Sequence, residues 1–261
     1  ADRPARQSRV RAFEDGAVFT IDRPAKLNAA TSEVLRDLEN CLDGLERRDA
    51  RLLVLCGRGA RAFCAGTDLA ELRALAHEAQ IAKCDAARDL LVRLSRSTVV
   101  SVAAVEGLAL GGGMELAMAC TLRIAAPGAV FALPEVRLGL MPAYAGTQML
   151  PALVGPARAA EIMLTGREIP AEEALAIGLI HRLIRNGAPI EEAALAFGRE
   201  VTRHGPVATR AIRDCIAAFD PGDMSGGLAA ERAAVQAVFA SPEARDGIAR
   251  FLSQRTGRSD E

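Results

Sequence analysis

Between residues 106 and 116 the chain reads Glu106-Gly107-Leu108-Ala109-Leu110-Gly111-Gly112-Gly113-Met114-Glu115-Leu116, and the rest of the molecule is organised around this stretch. Ahead of it, residues 98–105 form a β-branched apolar run that predicts a buried strand; behind it, residues 114–120 predict a helix. Three glycines between strand and helix let another group approach the backbone closely, at the positive end of the helix dipole. A phosphate loop would need Lys-Ser/Thr after the glycines, or the spacing Gly-x-Gly-x-x-Gly, and neither is present. Glu115 is the only charge between Ala109 and Leu122. A carboxylate so placed must be paired or have a raised pKa. The raised pKa suits proton transfer near neutral pH; an ion pair with Arg123 is the alternative.

Outward from this point, strands and helices alternate. Residues 10–14 and 17–21 flank Asp15-Gly16, a hairpin signal. Residues 31–47 are amphipathic, with Thr31 or Ser32 as N-cap. Residues 51–56 predict a buried strand ending at Gly57, and a loop over 57–67 leads to a helix starting at Asp68. A further helix is expected at 79–95 and a strand at 122–125. Beyond Pro156 the pattern predicts helices at about 156–164, 170–177, 189–203, 206–217, 226–239 and 241–252. Alternation to about residue 185, followed by helices alone, predicts an α/β core with a helical C-terminal part.

Two more segments carry chemistry. In Ala62-Phe63-Cys64-Ala65-Gly66-Thr67-Asp68-Leu69, Gly66 permits a backbone that other residues resist, and Asp68 can cap the next helix. Exposed N–H groups at such a turn bind anionic oxygens; a plain helix cap is the alternative. In Val130-Phe131-Ala132-Leu133-Pro134-Glu135-Val136-Arg137-Leu138-Gly139-Leu140-Met141-Pro142, Glu135 is isolated directly after a proline, with Arg137 as an alternative ion partner. Two carboxyl groups in apolar surroundings, beside a glycine-built anion site, suit acid/base work on a substrate that develops an oxyanion. Spacing alone does not bring Glu115 and Glu135 together.

Composition removes several function classes. Lys+Arg is 32 against 33 Asp+Glu, a formal charge of −1, without the basic excess of a nucleic-acid binder. Aromatic residues make up 3% of the 261, so base-stacking platforms are not expected and Ala, Leu, Val and Ile must build the core. The six cysteines form no Cys-x-x-Cys pair and several lie in apolar runs, the pattern of reduced thiols in a cytoplasmic protein. Three histidines exclude a His-rich metal cluster; His181 reads as structural or dipole-stabilising at a helix end, and Cys64 as packing. Residues 1–9 have no apolar core of a signal peptide. The longest apolar candidate, 99–119, is interrupted by Glu106, three glycines and Glu115, so no membrane helix is expected.

Taken together, Arg23-Pro24-Ala25-Lys26-Leu27-Asn28-Ala29, residues 63–69, residues 106–116, residues 134–139 and Gly146-Thr147-Gln148 resemble the enoyl-CoA hydratase/isomerase (crotonase) family. So does Ala244-Arg245-Asp246-Gly247-Ile248-Ala249-Arg250-Phe251-Leu252. The motifs stand in family order along nearly the whole chain. The resemblance implies an α/β fold of the crotonase-like (ClpP/crotonase) type: a spiral of ββα turns over residues 1–195 carrying a CoA-thioester site. Residues 196–261 would form a C-terminal helical oligomerisation region, building a trimer or a dimer of trimers. It further implies that the N–H groups of Ala65 and Gly112 form an oxyanion hole for the thioester carbonyl. Glu115 would orient and deprotonate water while Glu135 gives a proton to the α carbon. Lys26, Leu27, Ala65, Asp68, Leu69, Gly111 and Tyr144 would line the CoA and acyl sites, and Arg255 would approach the CoA of a neighbouring subunit.

The implied activity is syn hydration of a 2-enoyl-CoA, with coenzyme A as part of the substrate and no separate cofactor or metal. An isomerase using mainly Glu135, or a specialised hydratase, is the alternative within the superfamily; a non-catalytic CoA-thioester binder or RNA-binding protein is the alternative outside it. The chain departs from the family pattern at three places. Ala143-Tyr144-Ala145 replaces a glycine-rich run, adding bulk near the acyl pocket. Thr67 replaces a usual alanine, and Gln254 stands where a lysine is usual. Tyr144, the only tyrosine, either packs or trims the pocket toward a short or polar acyl group.

Overall fold

The apolar runs around residues 52–57 and 100–105 become the middle of a six-stranded sheet because they are buried on both faces, as parallel strands require. The computed structural model describes residues 6–220 and 222–256 of the 261. The chain divides into two units, Ala1–Arg199 and Glu200–Glu261.

In the first unit, β1 (Ser8–Phe13) and β2 (Gly16–Ile21) form an antiparallel hairpin whose register closes at Phe13 opposite Gly16. The turn therefore lies at Glu14-Asp15, and Gly16 is already strand. Its reason is close approach: a Cβ on Gly16 would lie 2.1 Å from the Leu52 carbonyl oxygen. Helix α1 (Ser32–Arg47) begins at Thr31, whose side chain accepts from the Val34 N–H, and it buries Val34, Leu35, Leu38, Leu42 and Leu45 along one stripe.

Then a unit repeats three times: a strand of the main sheet, a short strand of a second sheet, and a helix. First come β3 (Leu52–Gly57), β4 (Ala62–Cys64), α2 (Leu69–Ala74) and α3 (His77–Arg96). Next are β5 (Val100–Val105), β6 (Leu108–Leu110) and α4 (Gly112–Ala119). Third are β7 (Leu122–Ala125), β8 (Val130–Ala132) and α5 (Gly146–Val154). Helix α6 (Pro156–Thr165), β9 (Ile169–Pro170), α7 (Ala171–Ala176), β10 (Arg182–Leu183) and α8 (Ile190–Thr202) follow. The main sheet runs β1-β2-β3-β5-β7-β10 and the second β4-β6-β8-β9. Apart from the antiparallel pairs β1–β2 and β8–β9, the strands pair in parallel. The expected loop over 57–67 thus contains β4.

Helix α4 lies hard against β4, since a Cβ on Gly113 would stand 1.9 Å from the Cys64 carbonyl oxygen. Arg123, 3% exposed, ties this region together by donating to the carbonyls of Leu179, Met118 and Cys120 at 2.7, 3.1 and 2.7 Å. Burial lowers its pKa to about 10. It is therefore not the partner of Glu115.

The second unit holds α9 (Pro206–Ala217), α10 (Met224–Ala240) and α11 (Pro242–Thr256). Asp223 caps α10 by accepting from Ser225 N–H at 3.0 Å, and Glu243 accepts from the N–H groups of Val207 and Ala208 at the start of α9. Helices α9 and α10 bury no residue; Ile212, Ile216, Phe219, Leu228 and Phe239 are each more than half exposed. Among the described residues, no helix is long and apolar enough to cross a membrane.

Candidate active site

Two loops at the ends of neighbouring strands of the second sheet face each other. After β6, Gly111 turns the chain with φ 51°, and α4 starts at Gly112 with its N–H free of any acceptor among the described residues. After β4, Gly66 takes φ 99°, and Asp68 caps α2 by accepting from Ala70 and Glu71 N–H at 3.0 and 3.1 Å. Ala65, expected in the oxyanion hole, does not offer its N–H there: that group donates to the Leu27 carbonyl at 3.0 Å. The next amides alternate in direction. Ala30 bridges the turn by donating to Gly66 O and accepting from Asp68 N–H, which leaves the Thr67 N–H without an acceptor among the described residues. Thr67 N stands 3.6 Å from the point a Cβ on Gly112 would occupy. The free amides that face one another are thus Thr67 and Gly112.

Both border a cavity of about 570 Å³ that also meets Glu115, Glu135 and Tyr144, with Leu69, Leu72, Leu138, Leu140 and Met141 around it. In a more open cleft of about 650 Å³ elsewhere, Arg93 is already paired with Asp43 and Glu46.

Glu115 is 1% exposed, and its Oε1 accepts from the N–H groups of Tyr144 at 2.8 Å and Gly146 at 2.7 Å. Burial pushes its pKa up to about 7; the Gly146 N–H pulls it down, the Glu135 charge adds to the rise, and the Tyr144 N–H opposes it. Glu135 sits in a short 3-10 helix, Pro134–Leu138, that starts at a proline. Its Oε2 is buried without a hydrogen-bond partner, and burial raises its pKa too. Arg137 is not its partner: the Arg137 Nε lies 3.3 Å from the point a Cβ on Gly166 would occupy, at the end of α6. Both ion-pair alternatives for these glutamates are therefore set aside, and the two carboxyls meet at one cavity.

The remaining expected residues scatter. Gly111, Leu69, Ala65 and Tyr144 line the cavity. Asp68 is spent on its helix cap and an ion pair with Arg23 at 2.8 Å; burial opposes ionisation, but the Glu71 N–H and Arg23 hold its pKa low. Lys26 is exposed in the 3-10 turn Pro24–Lys26, and Leu27 contributes its carbonyl to Ala65. The Arg255 side chain lies outside the described residues. His181 accepts from Arg123 N–H at 3.2 Å, and burial together with the Arg123 charge lowers its pKa to about 4. It is thus neutral and cannot serve a helix dipole as a cation. Cys64 is buried, its thiol pushed up to about 11 by burial, which fits packing. No group of three or more His, Cys, Asp or Glu is placed to hold a metal among the described residues.

Two contributors were not singled out from sequence. Asn28, 1% exposed, donates to the carbonyls of Ala62 and Arg58 at 2.6 and 3.2 Å and so fixes the strand leading to the Thr67 turn. Gly146 brings its N–H to Glu115 because a Cβ there would stand 2.7 Å from Oε1.

The model of the enoyl-CoA hydratase/isomerase family matches residues 14–258. The crotonyl-CoA hydratase of Syntrophomonas wolfei is 35% identical over 242 residues, covering 92% of each chain. The short-chain-enoyl-CoA hydratase of Clostridium acetobutylicum is 33% identical over 241 residues, also covering 92% of each. The crystal structure of an enoyl-CoA hydratase from Bacillus anthracis superposes with a TM-score of 0.88 at 31% identity, over 95% of this chain and 96% of that one. The repeating ββα turns are those of the crotonase fold, and by sequence and architecture alike this chain belongs to the enoyl-CoA hydratase/isomerase family.

Proposed function

We propose that the protein is an enoyl-CoA hydratase, adding water to the same face of the C2–C3 double bond of a 2-enoyl-CoA. The observation that carries this reading is the pair of carboxyls at one cavity, Glu115 buried and Glu135 half-buried with one oxygen shut from solvent, opposite two free backbone amides. The thioester oxygen would accept from the Thr67 and Gly112 N–H groups. These are fixed donors, so they need no reorganisation as charge builds on the oxygen. Glu115, with Oε1 held by two amides, turns its other oxygen to water and takes a proton from it. The water oxygen bonds to C3, the double-bond electrons move toward the thioester, and the enolate-like oxygen is held by the amides. Glu135, whose unpartnered oxygen favours the neutral acid, delivers its proton to C2. A proton then passes from Glu115 back to Glu135 through solvent, which resets both carboxyls, so the atoms balance with water and substrate alone and no oxidation state changes overall.

An isomerase that moves the double bond by shuttling one proton would need a single carboxyl. The equal placement of both glutamates favours hydration. We further infer a homo-oligomer, because α9 and α10 present Ile212, Ile216, Leu228 and Phe239 to solvent in the single chain. The six free thiols fit a reducing, cytoplasmic setting.

Crotonyl-CoA hydration, followed as loss of the conjugated thioester's ultraviolet absorbance, is the test. Glu115→Gln and Glu135→Gln should each lower kcat by about 10²–10⁴-fold with little change in KM. A Glu115→Gln variant with near-normal turnover would remove Glu115 as the base, and a wild-type protein that moves the double bond of a 3-enoyl-CoA but adds no water to crotonyl-CoA would be an isomerase. A wild-type protein that binds CoA thioesters and converts none would be a binder.

A further inference from the structure

Thr67 and Tyr144 both depart from the family pattern, and the structure joins them: Tyr144 Oη and Thr67 Oγ1 share a hydrogen bond. Both residues line the cavity. The Tyr144 ring lies against the amide site, since a Cβ on Gly112 would stand 2.8 Å from ring Cε2. Two hydroxyls carry two hydrogens, and the bond between them uses one. No further acceptor exists for either hydroxyl among the described residues. One donor is therefore left for whatever fills the cavity. Burial raises the Tyr144 phenol far above its ordinary value, so it stays a neutral donor at physiological pH.

The charge of the cavity narrows what that donor meets. Among the described residues its lining includes Glu115 and Glu135 but no Lys, Arg or His. A carboxylate on the acyl group would enter beside two glutamates with no counter-charge. A neutral oxygen meets a hydroxyl donor instead, and a plain alkyl chain leaves that donor buried and unpaired.

We propose that the Thr67–Tyr144 hydroxyl pair is a specificity element selecting acyl groups with a neutral, hydrogen-bond-accepting oxygen near the reacting carbons. It disfavours both plain alkyl and dicarboxylic acyl groups. The inference rests on the hydratase reading for position: C2 and C3 react, so C4 is the first carbon free to bear the oxygen.

Binding of saturated analogues tests this without turnover. Hexanoyl-CoA and 4-methoxybutyryl-CoA have acyl groups of equal length, an ether oxygen replacing one CH₂; glutaryl-CoA supplies the carboxylate. By titration calorimetry, the wild-type protein should bind 4-methoxybutyryl-CoA about tenfold more tightly than hexanoyl-CoA, with glutaryl-CoA weakest. Carrying Thr67→Val and Tyr144→Phe together should bring the ether-to-alkyl ratio to about one. The double change is needed because either hydroxyl alone retains a donor. A ratio near one in the wild type, or one that survives the double change, overturns the proposal. Should the double variant not fold, the wild-type ratio alone decides. Crotonyl-CoA turnover is measured alongside, so a failed hydratase reading shows there while the affinity ratio still judges the hydroxyl pair.

Discussion

Glu115→Gln should make the protein more stable, in a pH-dependent way that follows from where the carboxyl is buried. The folded protein holds the Glu115 proton with a pKa of about 7, against an ordinary value of 4.5. Folding therefore takes up a proton between these two values, and stability falls as pH rises through that window. Above pH 7 the carboxylate is ionised in both states and the penalty is constant. At about 1.4 kcal/mol for each tenfold in acidity, the difference amounts to about 3 kcal/mol. Glutamine keeps an oxygen to accept from the Tyr144 and Gly146 N–H groups but never ionises. The variant should thus match the wild type at pH 4 and exceed it by up to about 3 kcal/mol at pH 8. For a chain of this size that is roughly 6–10 °C in Tm. Thermal and denaturant unfolding at fixed protein concentration, run on both proteins at pH 4, 6 and 8, reads the difference directly. Titrating groups that do not act on Glu115 cancel in the comparison. Equal stabilities at pH 8, or a gap that does not change with pH, would refute the buried, proton-holding Glu115.

Other consequences of the same geometry are quick to check. In the free enzyme kcat/KM should climb about tenfold per pH unit below 7 as Glu115 ionises, and fall on the alkaline side as Glu135 loses the proton it must give; an acid limb that stays flat removes Glu115 as the base. Removing the nearby charge in Glu135→Gln should lower the Glu115 midpoint, read by NMR titration of its carboxyl carbon. Gly113→Ala would set a methyl 1.9 Å from the Cys64 carbonyl and should cost several kcal/mol of stability. Gly146→Ala, 2.7 Å from Glu115 Oε1, should instead show its largest effect in kcat. Ala145 is held at φ 80°, so Ala145→Gly should raise stability by up to about 1 kcal/mol; a lower Tm would contradict the strain.

Much of the frame was written in patterns long enough to have a period. Helix α1 and the strands at 52–57 and 100–105 span six residues or more, so their apolar spacing reads directly. Strands β4, β6 and β8 have three residues each and carry no period, although they place the site. Their parallel register sets Leu110 opposite Ala132, so the chain leaves both strands side by side toward Glu115 and Glu135. That register, rather than any local motif, brings together two carboxyls twenty positions apart. The direction of single amides was equally hidden. The motif around Gly66 marked the right turn, but φ 99° at Gly66 and the Leu27 carbonyl decide that Ala65 points away and Thr67 is free. The arginines close in sequence to the glutamates were poor guides because carbonyls at Leu179, Met118 and Cys120 claim Arg123.

The departures from ordinary folding rules gather around this cavity, and each can be traced to a positioning task. Among the described residues four non-glycine positions take positive φ: Leu27, Asn28, Asp49 and Ala145. Leu27 turns its carbonyl to the Ala65 N–H, and Asn28 sends its amide to the carbonyls of Arg58, ahead of β4, and Ala62, its first residue. Ala145 lies between the two N–H groups that hold Glu115. Only Asp49, in the turn after α1, has no such link. The orphan oxygen of Glu135 and the exposed Leu138 and Met141 lie at the same place. Selection for stability alone would remove such features, since glycine at 145 and neutral side chains at 115 and 135 would relieve strain and desolvation. Their concentration at one cavity, while α1 and the central strands obey every local rule, is what a site maintained for chemistry leaves in a fold. The substitutions that stabilise this chain most should therefore be the ones that weaken its turnover most.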